Sequence, residues 1–173
     1  SAASDVYKRQ GTTIEGIISP TSSYYPPLNA YNGTYIEYQV GEGTSVLAVG
    51  DGKIIEVDDV GATGSSSKGK YVVQEVNLPD GKIMQVTYGN LKEVSVSAGS
   101  TVSSGDLIGK TGKNQNGVAS LYFSVTIDGK NVDPSTIFYQ SNWVYGAGSL
   151  GQNLNNADGS CLLYTSDAAD DRI

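Results

Sequence analysis

The stretch Ser120-Leu121-Tyr122-Phe123-Ser124-Val125-Thr126-Ile127 alternates two sets of side chains without a break. That period belongs to a half-buried β-strand, whose successive residues point to opposite faces. Leu121, Phe123, Val125 and Ile127 share one face and are expected in a core. Ser120, Tyr122, Ser124 and Thr126 share the other and are expected outside. Two residues at i and i+2 on that outer face can act together on one ligand, because a strand aims both the same way.

Working outward, Asp128-Gly129 turns the chain after this strand, and Asn131-Val132-Asp133-Pro134 leads to a short helical turn expected over 135–139. Pro134 suits a helix start, where its missing N–H is no loss. On the other side, 111–117 reads as a polar loop. Before it, 98–109 places two glycine turns around short β segments, with Val102, Leu107 and Ile108 as core candidates. Further back, 71–78 and 82–88 form a hairpin around Pro79-Asp80-Gly81, followed by Gly89-Asn90-Leu91 and a short strand at 94–96. Asp51-Gly52 is a tight-turn signal between apolar runs at 44–49 and 53–57. Another strand is expected over 34–40, ended by Gly41-Glu42-Gly43, and a short one around Ile14, Ile17 and Ile18. The segment 58–70 is rich in Gly, Ser and Asp and reads as an exposed loop. Its run GATGSSSKGK does not complete the phosphate-loop signature G-x-x-x-x-G-K-[ST], which argues against nucleotide binding. Lys68 and Lys70 are then ordinary loop charges. The pattern is all-β.

Composition agrees. The 173 residues include 22 Gly, 12 Tyr and only 2 Phe, a β-rich balance with many turns. There is no histidine and one cysteine, Cys161. Residues 1–10 (SAASDVYKRQ) and 161–173 (CLLYTSDAADDRI) resemble translated sequencing adapter, forward at the start and reverse-complement at the end. They are read as adapter-like scars and set aside. What remains has 14 acidic residues and eight lysines, a net charge of about −6, which argues against nucleic acid as a partner. It has neither Cys nor His, so no disulfide framework is expected. No window approaches the ~18 apolar residues of a membrane span. The expected organisation is an approach segment over 11–32, a β domain over 33–139, and a Gly- and Asn-rich flexible tail over 140–160. Trp143, Val144 and Tyr145 are the tail residues expected to pin to the domain.

Five short pieces, in order, give a resemblance over about 33–138. They are GTSVLAVGDGKI, Tyr88-Gly89-Asn90-Leu91, VSAGSTVSSGDLIGKTG, SLYF, and Asp128-Gly129-Lys130-Asn131-Val132-Asp133-Pro134. Together they resemble a lysostaphin-type (LytM) zinc metallopeptidase domain. The resemblance implies a barrel-sandwich β fold with a duplicated hybrid motif. The run 88–109, followed by Gly112-Lys113-Asn114, is similar to the stage II sporulation protein Q type.

Active members carry H-x-x-x-D, Tyr-x-His-Leu and His-x-His motifs. Counting back from Gly43, the first falls on Gly33 and Glu37; the second puts Asn90 where a catalytic histidine stands; the third falls on Ser120 and Tyr122. Zinc takes three or four N, S or carboxylate ligands, and only Glu37 qualifies. A phenol with its usual pKa near ~10 is a poor ligand at neutral pH. Asn90 cannot exchange a proton there, so it cannot serve as general acid or base. The expectation is a degenerate domain with no cofactor, no metal site and no catalytic residue. Glu37, Tyr88, Asn90, Ser120 and Tyr122 would line a vestigial groove. The resemblance implies a binding or scaffold role at the bacterial cell envelope. The chain would be extracytoplasmic and anchored by an upstream segment missing here. Its partner would be an envelope or sporulation-channel protein that pairs sheet edges. Peptidoglycan binding in the old groove and regulation of a cell-wall hydrolase are the alternatives, and an active zinc endopeptidase is the reading the missing histidines oppose. Against any role for these residues, Tyr88 and Tyr122 read first as half-buried strand tyrosines, Glu37 as a solvated strand residue and Ser120 as filler where a histidine was lost.

Overall fold

The computed structural model describes residues 14–61 and 68–138. The adapter-like ends, the 140–160 tail and its Trp143, Val144 and Tyr145 lie outside the described residues. Among the described residues nine strands follow in order: β1 (Ile36–Tyr38), β2 (Ser45–Leu47), β3 (Gly52–Asp58), β4 (Lys70–Asn77), β5 (Ile83–Val94), β6 (Thr101–Val102), β7 (Leu107–Lys113), β8 (Ala119–Ile127) and β9 (Lys130–Val132). A 3-10 turn, Pro134–Thr136, closes the domain; Asp133 caps it by accepting from the Ser135 N–H at 3.0 Å. Every strand pairing is antiparallel. The all-β reading holds. Among the described residues no helix is long and apolar enough to cross a membrane.

The 12-residue strand β5 is the spine. One side pairs with β4 along most of its length. The other side forks. From Met84 to Gly89 it pairs with β8, and from Leu91 to Val94 with β7. β7 and β8 then pair with each other only at Gly112↔Ser120 and Lys113↔Ala119. Asn90 stands at the fork, between the last β8 pair and the first β7 pair. Opposite it, Tyr88 and Leu91 face Val72 and Lys70, so β5 carries one residue more than β4 there. That extra residue is a β-bulge, which breaks strict alternation and re-aims side chains. Asn90 absorbs the bend in the left-handed region, with φ 58°, a conformation Asn tolerates better than most residues.

The core lies on one face of β5 and β8. Phe123 is its hub, with ring centroids 5.6 Å from Tyr88, 5.5 Å from Phe138 and 6.3 Å from Tyr38. Each such aromatic contact contributes about 0.5–1.5 kcal/mol beyond its area. One polar network is embedded among them. The Tyr88 hydroxyl donates to Gln74 Oε1 at 2.5 Å and accepts the Val49 N–H at 3.0 Å. Gln74 Nε2 donates to the Gly50 carbonyl at 2.7 Å. Each polar atom of the network has a partner, which offsets its burial.

Several sequence expectations shift. The segments 82–88 and 94–96 belong to one strand that ends at Val94, because β7 continues the pairing past the fork. The 111–117 loop shortens, since β7 runs to Lys113 and Thr111 is buried with its hydroxyl on the Gly41 carbonyl at 2.8 Å. Ile17 is buried but no strand forms around it. Val102 and Ile108 enter the core, whereas Leu107 is 41% exposed, because it begins β7 on the opposite side from Ile108.

Candidate functional site

The largest departure concerns the face expected outside. Leu121, Phe123 and Val125 are buried as expected, but Ser120 and Tyr122 are buried too, with Tyr122 only 5% exposed. Strand β8 is covered on both faces in its first half and opens only from Ser124 onward. The cover has two sources. Tyr35 lies flat on Tyr122, with centroids 4.3 Å apart and planes 24° apart. The segment around Lys68 and Gly69 lies over the fork, where the Lys68 carbonyl accepts the Asn90 N–H at 2.6 Å.

Strand pairing places the site residues. Glu37 of β1 faces Tyr122 across the ladder. Gly89 faces Tyr122 on the other side, and glycine is required there. A Cβ at Gly89 would stand 2.8 Å from the Lys68 carbonyl and 3.0 Å from Tyr122 Cβ and Cδ1. The absent side chain makes room for the ring and for the covering segment. Asn90 Nδ2 donates to Ser120 Oγ at 3.1 Å, with both residues buried. Glu37 Oε1 accepts Asn114 Nδ2 at 3.0 Å. Burial pushes the Tyr122 hydroxyl pKa above its usual value; the Tyr35 and Glu37 groups beside it add to this, and a hydrogen bond with Ser124 opposes it. Tyr122 is therefore neutral throughout the physiological range.

Glu37, Asn90, Ser120 and Tyr122 thus come together on one face, in two joined pairs. Tyr88 does not join them. It sits two residues before Asn90 and would share its face in a regular strand, but the bulge at the fork separates them. Tyr88 points into the core and is fully buried against Phe123; burial raises its pKa as well. Gly33 is exposed, with no side chain to offer. Two contributors escaped the sequence reading, Tyr35 and Asn114. Tyr35 lies at i−2 from Glu37, so strand period alone places it on the same face. Asn114 carries no comparable sequence signal.

The donor set can be tested against the metal this fold family implies. It comprises one carboxylate, one amide, one alcohol and one neutral phenol, and the amide and alcohol already bond each other. Among the described residues no three His, Cys, Asp or Glu side chains gather in one place. These residues do not fit a tetrahedral zinc centre, which takes imidazole, thiolate or carboxylate ligands.

Residues 31–134 match the profile of peptidase family M23, and the chain belongs to that family. A protein of Haemophilus influenzae, described as an uncharacterized metalloprotease, is 30% identical over 105 residues. That match takes in 59% of this chain but only 20% of the relative, so the chain spans about a fifth of that protein. Among solved structures, lysostaphin from Staphylococcus simulans superposes with a TM-score of 0.56 at 21% identity, over 83% of this chain and 62% of that one. The SpoIIQ–SpoIIIAH pore-forming complex contains a chain that superposes with a TM-score of 0.52 at 21% identity, over 73% of this chain and 92% of that one. At such identities the likeness is one of fold.

Proposed function

We propose that this chain is a non-catalytic M23 domain that serves as a binding or scaffold module at the bacterial cell envelope. The observation that carries the reading is the mutual engagement of the site residues. Asn90 bonds Ser120, Asn114 bonds Glu37, and Tyr35 covers Tyr122. A hydrolytic zinc site needs ligands with free lone pairs aimed at one point and a position for activated water. Here Asn90 and Ser120 engage each other, while Glu37 and Tyr122 are engaged by Asn114 and Tyr35.

A module of this kind acts through its surface, and the sheet supplies edges. On the outer side of β3, β6 pairs only with Gly52 and Lys53, and the last backbone bonds are made by Ile54. Beyond Ile54, no strand among the described residues covers that side. Ile55 is 40% exposed there and Val60, just past the strand, 87%. An open edge with exposed apolar residues accepts a partner strand through main-chain hydrogen bonds. Likeness to a chain of the SpoIIQ–SpoIIIAH complex supports an envelope or channel protein as the partner and an extracytoplasmic location.

The test has two arms. Zinc titration by calorimetry, with a muropeptide cleavage assay, is expected to give neither stoichiometric binding nor hydrolysis. Stoichiometric zinc with cleavage would overturn the non-catalytic reading. Co-purification of a SpoIIIAH-type domain is expected with the natural chain and lost with the double substitution Ile55→Lys and Val60→Lys. Retention by the double variant would remove this edge from the proposal.

A further inference from the structure

We propose that Asn32–Gly33, on the approach to β1, is a self-modifying site at which the asparagine converts spontaneously to isoaspartate and aspartate. The reaction needs only water. The Gly33 backbone nitrogen attacks Asn32 Cγ, and a C–N bond forms. The Cγ–Nδ2 bond then breaks, and ammonia leaves carrying the proton that the nitrogen gave up. Water opens the resulting five-membered succinimide. Attack at one carbonyl restores the normal backbone as aspartate. Attack at the other leaves the backbone running through the former side chain, as isoaspartate. Glycine after the asparagine favours ring closure, because no Cβ obstructs it and its backbone is free to adapt.

The sequence contains two Asn-Gly pairs, Asn32–Gly33 and Asn116–Gly117, and both are exposed. Their atoms are differently engaged. At the second pair the attacking nitrogen is tied down, since the Gly117 N–H donates to the Asn114 carbonyl at 2.9 Å. The N–H groups of Asn116 and Val118 on either side both donate to Asn114 Oδ1, at 2.9 and 3.0 Å. Three bonds to one residue hold that turn.

At the first pair the pattern is reversed. Among the described residues the Gly33 N–H has no acceptor. Asn32 Oδ1 instead accepts two backbone donors, Thr34 N–H at 3.0 Å and Tyr35 N–H at 2.9 Å. Both polarise the carbonyl that is to be attacked. Both also stand where negative charge develops on Oδ1 in the tetrahedral intermediate, the arrangement that stabilises oxyanions in acyl transfer. The surroundings are open, as a Cβ built on Gly33 would meet nothing within 4 Å. The consequence reaches the candidate site. Isoaspartate adds a backbone atom three residues before Tyr35, whose N–H Asn32 now holds and whose ring covers Tyr122.

The test uses the natural chain. It is aged at mildly alkaline pH, folded and in urea, and digested for peptide mass mapping, with an isoaspartyl methyltransferase to label the rearranged product. In the folded chain the Asn32 peptide is expected to convert several-fold faster than the Asn116 peptide and to take most of the label. In urea the two rates are expected to converge, since only the fold distinguishes them. Equal rates in the folded chain, faster conversion at Asn116, or a ratio unchanged by urea would overturn the proposal.

Discussion

Tyr88 and Asn90 lie two residues apart on one strand and belong to different parts of the molecule. Tyr88 is in the core, against Phe123, with its hydroxyl in a closed network. Asn90 is on the far face, bonded to Ser120 beneath the Lys68 carbonyl. Both are buried. The core is buried because large apolar side chains fill it. The site is buried because two pieces outside the central strands, Tyr35 and the 68–69 segment, lie over it. The bulge at the fork sets these two regions apart. It gives the family's site position a backbone bend and a cover even where the site side chains are Asn, Ser and Tyr.

Substitutions separate the two regions by size of effect. Phe123→Ala removes the hub of the aromatic cluster and is expected to cost about 3–5 kcal/mol, the range for large-to-small core changes. Urea denaturation should show a large fall in midpoint; a small one would mean the core does not rest on this ring. Tyr88→Phe keeps the ring but leaves Gln74 Oε1 and the Val49 N–H without their partner. A buried group so orphaned costs about 1–3 kcal/mol, read by the same denaturation curves. Tyr35→Ala, on the site side, should cost only the stacking of an exposed-side ring, about 0.5–1.5 kcal/mol. If Tyr35→Ala were as destabilising as Phe123→Ala, the distinction between packed core and covered site would fail.

The sequence revealed the fold through its turns and alternation. Asp51-Gly52, Asp128-Gly129 and the 120–127 period all fall where strands begin, end or run. The candidate site was only partly legible. Alternation placed Ser120 and Tyr122 opposite Leu121 and Phe123, and that is correct. It could not say that a second layer covers them, because burial of a polar face depends on tertiary neighbours such as Tyr35. Assigning Tyr88 to the groove failed for a related reason. Only an unbroken strand through Asn90 would put Tyr88 on the groove face, and a bulge leaves no periodic trace in a stretch as short as Tyr88-Gly89-Asn90-Leu91.

A last prediction tests the rim beside the fork with pH instead of mutation. Tyr71 of β4 donates its hydroxyl proton to Glu56 Oε2 in a short hydrogen bond, and Lys68 Nζ stands 4.3 Å from its ring. The bond to Glu56, then burial, then the charges of Glu56 and Asp58 push its pKa up to about 12. The unfolded chain releases this proton near the ordinary value of about 10. The folded state therefore holds the proton more tightly. The stability this supplies is complete below pH ~10 and is lost as pH rises toward 12. Ultraviolet titration of the folded chain should show a tyrosine ionising late, and Glu56→Gln should move that ionisation back toward its ordinary range. The shift should leave Tyr88 untouched, since its raised value comes from burial in the core and not from a neighbouring carboxylate. If Glu56→Gln moved no phenol at all, the late titration would belong to the buried tyrosines, and the carboxylate at the rim would have no hold on Tyr71.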